Sequence, residues 1–194
     1  MTRGLTHYLR EAWKKPDRDI MHGRLIAWRA GDAITKVEKP LRLNRARALG
    51  YKAKKGFIIL RVRLKRGGRK RKRAGVKGRK TRKMTIRKTL KMNYQWVAEI
   101  RASRKYENLE VLNSYKIGQD GKYYYFEVIM VDPSKNEIKN DRVVGWISNG
   151  TNKKRAERGL TSAAKKSRGM KGKKGKSPEK KVRPSLRAWD RQGK

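Results

Sequence analysis

The chain has 194 residues, with 57 Lys or Arg against 16 Asp or Glu, a formal net charge of +41. An excess of that size, set in long blocks, goes beyond the needs of solubility; it excludes a merely solvated cationic surface and points to a polyanionic partner. The absence of Cys excludes disulfides and thiolate metal sites and suits a reducing compartment, and no stretch is long and apolar enough to span a bilayer.

The first residues, Met1 to Tyr8, lack the apolar region of a secretory signal, so the match of Asn149-Gly150-Thr151 to a glycosylation site reads as chance. Leu5, Tyr8, Leu9, Ala12 and Trp13 recur at helical spacing, which predicts a helix over 3–14 that ends before Pro16. Asp17 or Asp19 caps a second helix, about 19–29, with Ile20, Leu25, Ile26 and Trp28 as its apolar members. Core packing is the expected task of these tryptophans, and stacking on a base or sugar is the alternative. Residues 30–55 are transitional: Pro40 sets a turn, a short helix covers Asn44 to Leu49, and Gly50 breaks it.

The chain is organised around residues 56–83. Ile58, Leu60, Val62 and Leu64 fall on one face of a strand; Phe57 and Ile59 begin the other face, and Arg61, Arg63 and Lys65 finish it. The strand thus leaves a core and carries cations outward. The arm that follows, from 65 to about 90, is Arg, Lys and Gly with almost no apolar periodicity. Such a segment cannot offset its ordering entropy by burial, and its charges repel. It orders only against dense negative charge. Its glycines allow close approach to a sugar-phosphate chain, and Arg offers bidentate donors to phosphate and a flat face to bases. Crevices between RNA helices suit it better than duplex DNA.

A helix over about Asn93 to Lys105 comes next, with Asn93 as N-cap and Trp96, Val97 and Ile100 facing inward. Two strands follow. In the first, Leu109, Val111, Tyr115 and Ile117 alternate and Asn113 interrupts the apolar face; Gly118 to Gly121 forms a hairpin turn. In the return strand, Lys122 to Val131, Tyr124, Phe126, Val128 and Met130 fill one face, and Tyr123, Tyr125, Ile129 and Val131 most of the other. Two apolar faces predict a central strand covered on both sides. Asp132-Pro133 ends it. Residues 134–150 hold a short helix and the apolar patch Val143 to Ile147. Short helices near Lys153 to Glu157 and Thr161 to Ser167 open a basic tail that is low in complexity from Met170 to Lys181 and carries an isolated Trp189. Three regions result: N-terminal helices and a basic lead-in (1–55), an α/β core of three or four strands interrupted by the arm (56–150), and a basic C-terminal tail (151–194).

Catalytic chemistry finds no footing here. His7 and His22 lack carboxylate partners, and no metal spacing, nucleophile motif or cofactor fingerprint is present. Lys171 to Ser177 imitates a phosphate loop, but Met170 stands where Gly is required and no strand precedes it. Lys55 to Leu60 begins like the aromatic strand of an RNA-recognition sheet and lacks its later aromatics. Arg66-Gly67-Gly68 is a single unit with meaning only inside its basic block.

Several stretches, in this order and spacing, resemble the family of ribosomal protein fifteen of the large subunit, of the archaeal and eukaryotic type and distinct from the bacterial protein of the same number. They are Ala46 to Gly56, Arg61-Val62-Arg63, Arg66 to Arg71, Leu109 to Tyr115, Phe126 to Ile129 with Asp132-Pro133, and Arg158 to Ala163 with Lys166 to Gly169. The resemblance spans roughly residues 3–170; residues 76–92 and the tail after Met170 depart from the family pattern. It implies an α+β fold, a small mostly antiparallel sheet covered by helices with long basic extensions. It also implies an early-incorporated structural component that binds large-subunit ribosomal RNA beside neighbouring large-subunit proteins in the cytoplasmic ribosome. No enzyme activity, cofactor, small-molecule substrate or membrane is implied. The family's RNA contacts carry over to Arg45, Arg47, Lys52, Lys54, Arg66, Arg69, Lys70, Arg71, Arg158, Lys166 and Arg168. The adjoining cations Lys55, Arg61, Arg63, Lys65, Lys72, Arg73, Lys77, Arg79, Lys80, Arg82, Lys83 and Lys165 complete the candidate set. A free nucleic-acid-packaging protein would explain the charge but not the patterned core; an RNA-modifying enzyme would need the acid/base cluster the chain lacks.

Overall fold

The computed structural model describes residues 3–68, 90–170 and 185–187. Helix α1 spans Leu5–Lys14 and α2 spans Arg18–Ala30. Of the two candidate caps for α2 the chain uses Asp17, which accepts the amides of Asp19 and Ile20 at 2.9 and 3.0 Å. A strand that periodicity does not announce, β1, covers Ile34–Val37, and the short helix α3 covers Leu43–Ala48. Strand β2 runs Phe57–Lys65, helix α4 Tyr94–Lys105, strand β3 Glu110–Gln119 and strand β4 Tyr123–Val131. Helix α5 (Asn136–Lys139), two 3₁₀ turns (Gly145–Ser148 and Gly150–Asn152) and α6 (Ser162–Ser167) follow. Asn93 caps α4 through the Trp96 amide at 2.8 Å, and Thr161 caps α6 through Ala164.

The sheet is antiparallel throughout, in the order β1-β2-β4-β3. Both faces of β4 are apolar because both are covered. On one side Leu60, Val62, Leu64, Phe126, Val128 and Met130 pack against Ala98 and Ala102 of α4. On the other, Ile59, Tyr125, Ile129 and Val131 meet Trp28 of α2, Ala46 of α3, Ile138 of α5 and the Val144–Ile147 patch. Trp28 therefore packs in the protein.

Strand β3 departs from simple alternation. Its register against β4 shifts between Val111 and Asn113 and again between Lys116 and Gly118. A bulge inserts a residue and turns the following side chains to the opposite face. Leu109 and Val111 thus face α4, while Leu112, Tyr115 and Ile117 face α2. The interruption expected at Asn113 is this bulge. Gly118, read from sequence as part of the turn, belongs to the strand and lies against Trp28 and Leu25; a Cβ there would sit 3.4 and 3.5 Å from them. The turn itself is held by Asp120, whose carboxylate accepts the amides of Lys122 and Tyr123 and bonds Arg29 of α2 at 3.2 Å.

Helix α4 is gripped on two sides. Its Trp96 is buried with Ala163 and Ala164 of α6 and with Leu186, and its indole N–H donates to Ala156 O at 2.7 Å. Residues 151–170 are thereby packed on the body, with Arg155, Ala156, Thr161, Ala164 and Arg168 buried.

Candidate nucleic-acid interface

Charged groups of both signs enter the core. Glu99, Glu110 and Glu127 are buried. Glu99 joins three elements: it accepts the Ser114 hydroxyl of β3 and the Thr161 hydroxyl, the latter at 2.5 Å. Burial pushes its carboxyl above the ordinary range, against the pull of those hydroxyls and of Arg155. Glu127 accepts the Tyr115 hydroxyl and the Leu41 amide; burial raises its carboxyl as well. Glu110 takes the Lys154 amide at 2.8 Å. The side chains of Asp120 and Asp141 are only 7% and 4% exposed. Glu11, Asp17, Asp19, Asp32, Glu38, Glu107 and Glu137 remain exposed among the surface cations.

The predicted RNA-binding residues divide by what the fold does with them. Arg45 and Arg47 stand exposed on α3, and Lys55, Lys65, Arg66, Arg158 and Lys166 are exposed as well. Arg66 is steadied by Asp120 O at 2.5 Å and by the Tyr124 ring, 4.9 Å from its guanidinium carbon; Arg158 reaches Thr151 O at 2.5 Å. Lys52 and Lys54 converge on Asp141 at 2.8 and 2.5 Å, so part of their charge is already answered. Arg61 and Arg63 do not run out into solvent as the strand alternation suggests. They are half-buried beneath α2, Arg61 over the Trp28 ring and Arg63 bonded to the carbonyls of Trp28 and Arg29. Lys165 is half-buried, and Arg168 is 3% exposed, donating to Gly159 O at 2.6 Å. Arg69, Lys70, Arg71, Lys72, Arg73, Lys77, Arg79, Lys80, Arg82 and Lys83 lie outside the described residues, as does Trp189.

The arm's two roots meet. The Tyr94 hydroxyl, in the first turn of α4, accepts the Gly67 N–H and donates to Gly67 O, each at 2.9 Å. Gly67 and Tyr94, on either side of residues 69–89, are thus bonded to each other.

Sequence reasoning passed over Arg155. Its Nη1 donates to Val111 O at 2.5 Å and Leu112 O at 2.8 Å, across the β3 bulge, and its guanidinium covers the Trp146 ring at 4.9 Å. In the sequence it is one more cation after Lys153 and Lys154; only its proximity to the bulge separates it from them. Among the described residues no group of His, Cys, Asp or Glu is arranged to hold a metal ion.

A family model described as Ribosomal L15, of the L15e type, matches residues 4–189. The chain is 48% identical over 199 aligned residues to the large ribosomal subunit protein eL15 of Methanocella arvoryzae, covering 100% of both chains. It is 48% identical over 193 residues to the protein of the same name from Methanospirillum hungatei, covering 97% of each.

Proposed function

Because the chain belongs to the L15e family of ribosomal proteins, we propose that it is a structural constituent of the large ribosomal subunit, working in the cytoplasmic ribosome by binding and stabilising large-subunit ribosomal RNA. The observation that carries this reading is the set of cations left exposed on the body, Arg45, Arg47, Lys55, Lys65, Arg66, Arg158 and Lys166, in a chain of formal net charge +41. A surface of that kind binds phosphate without needing to release internal partners first.

The exposed cations Arg45, Arg47, Lys55, Lys65, Arg66, Arg158 and Lys166, with the Lys/Arg run of 69–83, are the proposed phosphate contacts. Lys52 and Lys54 serve both Asp141 and RNA. Arg61, Arg63 and Arg168 act chiefly by bracing the surface that carries the others. Neighbouring large-subunit proteins are the remaining partners, and the role is structural rather than catalytic. Crosslinking in intact cells, followed by sequencing of the attached nucleic acid, tests the proposal. Large-subunit ribosomal RNA should dominate, and the protein should sediment with the large subunit through a moderate-salt wash. Crosslinks spread over messenger RNA or DNA without a ribosomal peak would replace it with a general packaging role.

A further inference from the structure

Where the arm begins, two cations share one aromatic ring. The guanidinium carbon of Arg66, just past the end of β2, lies 4.9 Å from the centre of the Tyr124 ring, and the ammonium of Lys116 on β3 lies 5.0 Å from it. Both residues are exposed. Neither has a carboxylate at ion-pair distance among the described residues. Asp120, in the adjoining turn, is committed to Arg29 and to the amides of Lys122 and Tyr123, and it gives Arg66 only its main-chain carbonyl, at 2.5 Å.

The fold fixes both cations in place. The Arg66 N–H donates to Lys122 O at 2.8 Å, and the next residue, Gly67, is bonded to the Tyr94 hydroxyl. Tyr94 in turn packs on Tyr124, ring centres 4.7 Å apart. Lys116 stands opposite Phe126 in the β3–β4 pair, which makes Tyr124 its diagonal neighbour, and its ammonium also donates to Gln119 Oε1. The ring attracts each cation weakly, and the two cations repel each other. An anion set between them reverses that balance. Arg66 spends one donor on Asp120 O and Lys116 one on Gln119, so each keeps others to give. A phosphate carries several acceptor oxygens on one centre and can take from both. A base finds no clear face to stack on, because the two cations and Tyr94 already surround the ring.

We propose that Arg66 and Lys116 grip a single phosphate of the bound RNA, and that Tyr124 is the positioning residue that holds them to it. The proposal rests on the RNA-binding reading above. It adds Lys116 to the contact set and fixes the RNA backbone at the point where the arm begins.

The test uses the full chain with a large-subunit ribosomal RNA transcript, and measures binding across a salt titration. Lys116→Gln and Arg66→Gln should each weaken binding by roughly tenfold. Because the phosphate is shared, the double variant should lose much less than the product of the two, and its slope of log affinity against log salt should fall by about one rather than about two. Tyr124→Phe keeps the ring and should bind as wild type does. Tyr124→Leu should weaken binding, yet cost nothing further when both cations are already gone; a merely structural role would cost the same in either background. Should Tyr124→Leu fail to fold, the cycle at the two exposed cations still decides. Multiplicative losses with a slope lower by about two would mean two separate phosphates. Unchanged affinity in both glutamine variants, or a carbodiimide crosslink from Lys116 to a neighbouring protein's carboxylate in intact subunits, would mean that no phosphate sits there. Each of these overturns the proposal while leaving RNA binding in place. Failure of wild type to select ribosomal RNA removes the functional reading itself.

Discussion

Asp141 gathers the ammonium groups of Lys52 and Lys54 and the amides of Val143 and Val144 onto one nearly covered carboxylate. Those lysines, and then the Val143 amide, hold it far below the ordinary carboxylate range. A depressed acid lends stability that is present above its unfolded value of about 3.9 and is lost as pH falls below it. Asp141→Asn should therefore cost about 1–2 kcal/mol at neutral pH, with a shallower acid limb in thermal unfolding. Because the change frees two lysines, RNA affinity should hold or rise while stability falls. A parallel loss of both would mean that Asp141 shapes the RNA-binding surface itself. Glu99 carries the opposite sign. Burial raises its carboxyl, so its contribution is full below the unfolded value of about 4.3 and is lost as pH climbs through the raised one. Glu99→Gln keeps the shape without the charge. Its melting temperature should match wild type in acid and gain on it toward neutral pH; superimposable curves would show that Glu99 does not titrate in that window. Neither acid announces its task in the sequence. Lys52 and Asp141 are far apart along the chain, and Arg155 and Arg158 look alike until the bulge of β3 selects one for burial.

At the level of elements, β2 and β4 were legible because two-residue alternation survives intact along both, and the Asn93 cap because capping chemistry is local. Strand β1 was not, since Ile34–Val37 is too short to show a period and exists by pairing with β2. The faces of β3 were hidden by bulges, which are properties of a pair of strands and not of one. The first turn of α4 shows how much depends on a few residues. Asn93 Nδ2 donates to Ala163 O at 2.9 Å, Trp96 fills the space against α6, and Tyr94 holds Gly67. Tyr94→Phe removes only the last of these. The Gly67 amide should exchange with solvent markedly faster, at a global cost of about 0.5–1.5 kcal/mol. Unaltered exchange at Gly67 would show that the hydroxyl is not what holds the arm's root.

Across the whole molecule, the excess of 57 basic over 16 acidic residues governs behaviour more than any single contact. Neutralising six or more phosphates should make ribosomal RNA binding fall by about a thousandfold between 50 and 200 mM salt, measurable by filter binding across a titration. A shallow slope would mean that the basic surface is not engaged. Composition alone indicated a polyanion as partner. It could not indicate which cations remain available, because that depends on where the core deposits its carboxylates.

The joined roots of the arm carry a topological consequence. A free tail can be threaded through an opening by its end. A stretch bounded by Gly67 and Tyr94, which are bonded to each other, has no end to lead with. To be encircled by nucleic acid it must pass through doubled on itself, or the strands must close around a protein already in position.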